Sequence, residues 1–116
     1  MIFHLALASD WAQAQQSGEY RISTIGRTLD EEGFIHASAD LAQASRVAGR
    51  FYRDVDEPLV LLTIDESRVG APVIHEPATS PANAGPAAGT EAGELFPHIY
   101  GPLPVTAVVA VTAYTP

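Results

Sequence analysis

The eight residues Pro58–Asp65 (PLVLLTID) set the tightest limit on how this chain can fold. They make a near-continuous apolar run of strand length, the pattern of a strand covered on both faces. They therefore predict a central strand, with other elements packed on either side of it. A first strand is predicted at Ile2–Leu7 (IFHLAL), where alternation sends Phe3, Leu5 and Leu7 to one face and Ile2, His4 and Ala6 to the other. A last strand is predicted at Val105–Tyr114 (VTAVVAVTAY), from its small and β-branched residues. Helical spacing of Leu41, Ala44, Val47 or Ala48, and Phe51 predicts the best helix over Ala39–Tyr52, with Asp40 in its first turn and Arg50 and Arg53 at its end. A shorter helix is predicted over Asp10–Gln16, capped by Ser9, ended by Gly18, and turning Trp11 inward.

The rest of the chain reads as connections. Glu19–Leu29 is expected to be a short extended piece and a loop interrupted at Gly26, and Asp30–Glu32 a solvated acidic turn. Pro72–Glu76 predicts a short strand with His75 and Glu76 on opposite faces. Pro77–Gly93 is rich in Ala, Gly and Pro without a period, which predicts a flexible loop that tolerates shortening. The elements together predict an α+β fold with two main helices.

At 116 residues the chain predicts a single domain, large enough for one core. No apolar run approaches the roughly 20 residues that span a bilayer, so no membrane partner is expected. The chain enters Ile2–Leu7 without a preceding basic residue, which predicts a first strand and not a signal peptide. With no cysteine, disulfides and thiolate metal sites are excluded, and a cytoplasmic location is expected. A formal net charge of −8, with six arginines as the whole basic complement, argues against a nucleic-acid partner. A small ligand is the expected partner.

Two stretches carry chemistry. In Glu32–Ser38 (EGFIHAS) alternation places Phe34, His36 and Ser38 on one strand face, with Ser38 positioned to cap the helix that follows. A titratable imidazole two residues before a helix N-terminus predicts an anion site, with a phosphate near Ser38 and His36 close by. In Leu95–Pro104 (LFPHIYGPLP), His98 and Tyr100 share a strand face. His36 and His98 are expected to line one concave surface, approached by His4 from the first strand. The competing assignment makes these histidines structural, each satisfied by a backbone carbonyl.

The early strand histidine, GFIH-x-S, the strand ending in Glu76, and FPH-x-Y-x-PL together resemble the bacterial domain-of-unknown-function family 952, over almost the whole chain. The chain departs from the family pattern in the Pro77–Gly93 insertion and in His75, where an apolar or aromatic residue is more usual. The resemblance implies an ADP-ribosyltransferase-like fold, a small domain with a split, curved mixed β-sheet, and hence an NAD-binding or NAD-cleaving ancestry. It implies His4 for a first-strand place, the His36–Ser38 pair for a middle-strand place and Glu76 for a late-strand carboxylate. Joined to the strand-face pattern, this makes His36, His98 and Glu76 the expected catalytic groups and His4, Ser38 and Tyr100 the expected ligand-holding ones. Cleavage of a glycosidic bond to nicotinamide develops positive charge on the ribose, which a carboxylate stabilises while histidine and hydroxyl groups position the sugar. NAD would then be a substrate; no resident cofactor is expected. Two other classes compete: a non-enzymatic module binding a small nucleotide-like ligand in the same pocket, and a divalent-metal site built from His4, His36, His98 and Glu76.

Overall fold

The computed structural model describes residues 1–24, 26–77 and 94–116. It is an α+β domain, as expected, whose strands divide into two three-stranded sheets and two short ribbons. The first sheet has β6 (Leu59–Ile64) at its centre, with β1 (Ile2–Leu7) and β10 (Val108–Tyr114) antiparallel on either side. The apolar run thus occupies the central strand predicted for it. Leu62 and Ile64 pack with Ile2 and Ala6 into one core, and Leu59 and Leu61 pack with Leu5 into another. The first strand divides its side chains between the faces as its alternation predicts.

The second sheet is the one that matters for function. Its central strand is β8 (Leu95–Ile99), flanked by β5 (Ile35–His36) and β7 (Val73–Pro77), again antiparallel. A pair of backbone bonds between Phe3 and Ser38 (2.8 and 2.7 Å) ties the two sheets together where the chain leaves β5. Between β1 and β5 run helix α1 (Ala8–Ser17) and the short strands β2 (Glu19–Tyr20), β3 (Ile22–Thr24) and β4 (Arg27–Thr28). β2 pairs with β9 (Leu103–Pro104), and β3 with β4. The expected loop at Glu19–Leu29 is therefore mostly paired strand.

Helix ends explain several differences from expectation. α1 begins at Ala8 with Leu7 at the cap and no side-chain cap bond, so Ser9 lies inside the helix. Its C-terminus is closed as predicted by Gly18 at φ 91°, and Trp11 and Ala14 are buried. Asp30–Glu32 is part of a one-turn helix, α2 (Leu29–Glu32), closed by a capping box in which the Glu31 N–H donates to Thr28 Oγ1 (3.2 Å) and the Thr28 N–H donates to Glu31 Oε1 (3.0 Å). Gly33 at φ 86° turns the chain out of it and into Phe34.

The longest helix, α3 (Leu41–Phe51), is rotated from the predicted face. Ala44 and Ala48 are buried, but Leu41 and Phe51 are 58% and 49% exposed. The small alanines let the helix lie close to Leu5, Leu59 and Leu61, and the buried polar residue Gln43 takes part in fixing the rotation. Its side chain accepts from the Ala39 N–H (2.7 Å) and donates to Glu94 Oε2 (3.1 Å) and the Leu95 carbonyl (3.0 Å). Val105–Ala107 forms a 3₁₀ turn, so the last strand starts at Val108. The expected loop lies, beyond Pro77, outside the described residues. No helix among the described residues is long and apolar enough to cross a membrane.

These two burial patterns predict opposite outcomes for two leucines. Leu62→Ala, at a position with 0% exposure, should cost about 2–5 kcal/mol. Leu41→Ala, on the exposed side of α3, should stay within about 0.5 kcal/mol. Urea unfolding of the two variants measures both.

Candidate functional site

Cross-strand partners in a sheet put their side chains on the same face. In the second sheet His36 pairs with His98, Ile74 pairs with His98 from the other side, and Glu76 pairs with Phe96. One face therefore carries Phe34 and His36 from the β5 side, Phe96, His98 and Tyr100 from the β8 side, and Ile74 and Glu76 from β7. The alternation Ile74–His75–Glu76 turns His75 to the opposite face, as predicted. Ile35 and Ala37 point the other way into the core.

The polar groups on this face form one hydrogen-bonded line. Tyr100 donates its hydroxyl hydrogen to Glu76 Oε1, and His98 donates from Nδ1 to the same oxygen at 2.8 Å. His98 Nε2 lies 3.3 Å from His36 Nδ1. A carboxylate accepts only, so His98 carries its proton on Nδ1 when neutral and offers a lone pair at Nε2. His36 must then donate from Nδ1, which leaves its own Nε2 as the unprotonated end of the line. Among the described residues no hydrogen bond reaches that Nε2. Phe34 stacks on the His98 ring at 3.9 Å and 12°, and Phe96 lies 4.9 Å from the His36 ring.

Electrostatics keep this line in a defined protonation state. Burial pushes the His36 imidazole down to about 3, helped by the neighbouring His98 and His4. Burial also lowers His98, against the opposing pull of Glu76. The Tyr100 hydroxyl, followed by the His98 ring, holds the Glu76 carboxyl below the usual carboxylate range, and the same bond pushes Tyr100 up to about 12. At neutral pH the face thus carries one ionised carboxylate, two neutral imidazoles and one neutral phenol.

His4 and Ser38 have other duties. His4 is buried, donates from Nδ1 to the His36 carbonyl (2.6 Å) and accepts at Nε2 from the Tyr20 hydroxyl (2.9 Å). Burial lowers it to about 4, so it is a neutral ring with both nitrogens used and none left for a ligand. It positions the His36 backbone instead. Ser38 is buried and contributes its backbone to the bridge with Phe3. It does not cap α3: Asp40 does, accepting from the Gln43 N–H at 2.7 Å. The anion site expected at Ser38 is closed by the helix's own carboxylate and by the Gln43 amide. Arg46 pairs with Glu94, and no ion pair among the described residues brings an arginine onto Glu76 or His98.

The metal alternative meets no support in this geometry. Among the described residues no group of three or more His, Asp or Glu side chains is arranged to hold a metal ion. Sequence reasoning noted Phe34 but gave it no role, and it passed over Ile74, Tyr20 and Gln43. Period-2 spacing of Ile74 with Glu76 was a signal for the first of these three. Nothing local marks the bond of Tyr20 to His4 or those of Gln43 to Glu94 and Leu95, whose partners lie far along the chain.

The chain as a whole is similar to known proteins. The family model described as "Protein of unknown function (DUF952)" matches residues 5–111. No functionally curated protein matches the chain. The crystal structure of protein CC0527 from Caulobacter crescentus is similar over 97% of this chain and 83% of that one, at 28% identity and a TM-score of 0.71. The solution structure of the same protein gives a TM-score of 0.67 at 28% identity, over 96% and 81% of the two chains.

The depressed histidines make stability depend on pH. An unfolded histidine binds a proton below about 6.5, whereas His4 and His36 stay neutral until about 4 and about 3. The unfolded chain therefore holds more protons in that window, and stability rises with pH up to about 6.5 before levelling. Between about pH 7.5 and pH 5, His4 alone should cost about 2 kcal/mol, with His36 acting in the same direction. Urea melts at the two pH values test this; equal stability would show that the rings are protonated in the folded state.

Proposed function

The chain belongs to the DUF952 family, and we propose that the second sheet forms an acid–base site for a small nucleotide-like substrate, with NAD as the leading candidate. The observation that carries this reading is the line Tyr100–Glu76–His98–His36, which fixes a carboxylate and two imidazoles on one rigid face. We read the fold as ADP-ribosyltransferase-like, with a histidine on the first strand, a histidine on a middle strand followed by a serine, and a glutamate on a later one. Fold analogy alone does not carry an activity, so the argument rests on the groups themselves.

In this reading Glu76 is the central group. Its ionised carboxylate stabilises positive charge developing on a ribose as a glycosidic bond opens. His98 and Tyr100 hold that carboxylate in place, which costs nothing at the moment of reaction because the donors are already oriented. His36 Nε2 accepts a hydrogen bond from a sugar hydroxyl, or takes the proton of the water that bonds to the ribose carbon as nicotinamide leaves with the glycosidic electron pair. His4 and Ser38 act one layer behind, through the His36 carbonyl and the Phe3 bridge. A cytoplasmic setting is part of the same reading and accords with a chain free of cysteine.

A second reading has its own support. With His36 held neutral down to about 3, that ring is a weak general base at neutral pH and serves as a hydrogen-bonding group. The same face then belongs to a binding module that does not consume its ligand.

Incubation with NAD, followed by separation of nicotinamide from the dinucleotide, distinguishes the two. The catalytic reading expects nicotinamide release that falls by at least about a hundredfold in Glu76→Gln, in line with the loss of one charge-stabilising group. Saturable binding with no release gives the module reading. Release that survives Glu76→Gln unchanged would remove Glu76 from the chemistry.

A further inference from the structure

The charge of the group recognised can be read from the same face. We infer that the site takes an organic cation, such as a pyridinium or quaternary ammonium group, between the Glu76 carboxylate and the rings of Tyr100 and Phe34. This deepens the reading above by naming the charge class of the ligand, and it does not require that NAD be cleaved.

Three observations carry it. First, both hydrogen bonds to Glu76 fall on Oε1, and among the described residues no donor reaches Oε2. The side chain is 32% exposed, so an ionised carboxylate is partly open to solvent with its orientation set by two donors. Second, the exposed side chains that share the face with Glu76 are aromatic and apolar. Tyr100 is 38% exposed and lies 5.6 Å from the Phe34 ring at 54°, forming a corner of two rings, while Ile74 on the same face is 47% exposed. A carboxylate beside aromatic faces attracts cations through both charge and ring quadrupole, most strongly where water is displaced by apolar neighbours.

Third, among the described residues no ion pair brings an arginine to Glu76 to offset its charge. His36 and His98 are neutral, and the ion pairs formed by Arg21, Arg27, Arg46 and Arg68 are with Asp30, Glu32, Glu94 and Asp65. The chain as a whole carries a formal charge of −8. A phosphate or free carboxylate approaching this face meets repulsion, whereas a cation is drawn in. Recognition therefore begins with the cationic ring of a ligand, and any phosphates it bears lie outside the site.

The test uses the full chain and two probes of nearly equal shape, the 1-methylnicotinamide cation and neutral nicotinamide, titrated by calorimetry or chemical-shift change. The cation should bind at least about tenfold more tightly, and added salt should weaken it. The preference should vanish in Glu76→Gln and persist in Asp56→Asn, which removes the same charge from the loop between α3 and β6. Melting curves confirm that both variants are folded. Equal affinity for the two probes, a preference that survives Glu76→Gln, or no binding of the cation at millimolar concentration overturns the inference. Cation binding without NAD turnover supports it while removing the catalytic reading. NAD turnover without a cation preference overturns it and leaves the catalytic reading standing.

Discussion

The antiparallel register of β5, β8 and β7 is the constraint on which the functional face depends. Because side chains alternate strictly along a strand, a slip of one residue would send a whole set of them to the other face. With His36 opposite His98 and Glu76 opposite Phe96, three chain segments widely separated in sequence deliver their polar groups to one line. The register is held from the back by burial. Ile35, Ala37 and Ile99 fill the core on the opposite face, and exposing them would cost far more than the polar line could return. The Phe3–Ser38 bridge and the His4 bond to the His36 carbonyl then lock β5 to the first sheet.

A face with three histidines around it would ordinarily be taken as positive. Here it is not, because burial keeps His36 and His98 neutral and His4 is turned inward. His4 spends both nitrogens on Tyr20 and a backbone carbonyl, and so supports the site without touching its surface. Among the described residues, Glu76 is the formal charge this face carries. The aromatic residues do more than fill space: Phe34 shields His98 from water, and this keeps the His98–Glu76 bond effective.

Much of the fold was legible from local pattern. Pro58–Asp65 announced a two-sided strand, IFHLAL announced its own two faces, and GFIH placed His36 opposite to Ile35. Those signals depend only on side-chain period, which a single segment contains. What was not legible depended on partners. Leu41 and Phe51 fit a helical stripe but lie outside the contact, because the turn of α3 also answers to Gln43 and its bonds to Glu94 and Leu95. Ser38 has the right chemistry for a cap, yet Asp40, two residues on, has equally good chemistry and the required extended backbone. The Thr28-x-x-Glu31 box was visible in the sequence as a helix-start signature, and the acidic character of Asp30–Glu32 obscured it. Tyr20 could not have been matched to His4 without knowing that the fold brings these two side chains together.

The central claim is that Glu76, His98 and His36 form one polarised line at neutral pH. Histidine nitrogen NMR reads it directly, since nitrogen shifts report which ring atom holds the proton. With His98 donating from Nδ1 to Glu76 and accepting at Nε2 from His36, both rings should be neutral and protonated on Nδ1 near pH 7. His36 should keep that state down to about 3, and His98 should titrate below the ordinary histidine value of about 6.5. A proton on Nε2 of either ring, or a charged imidazolium at neutral pH, would contradict the account, because no carboxylate-to-imidazole line of this polarity could then exist.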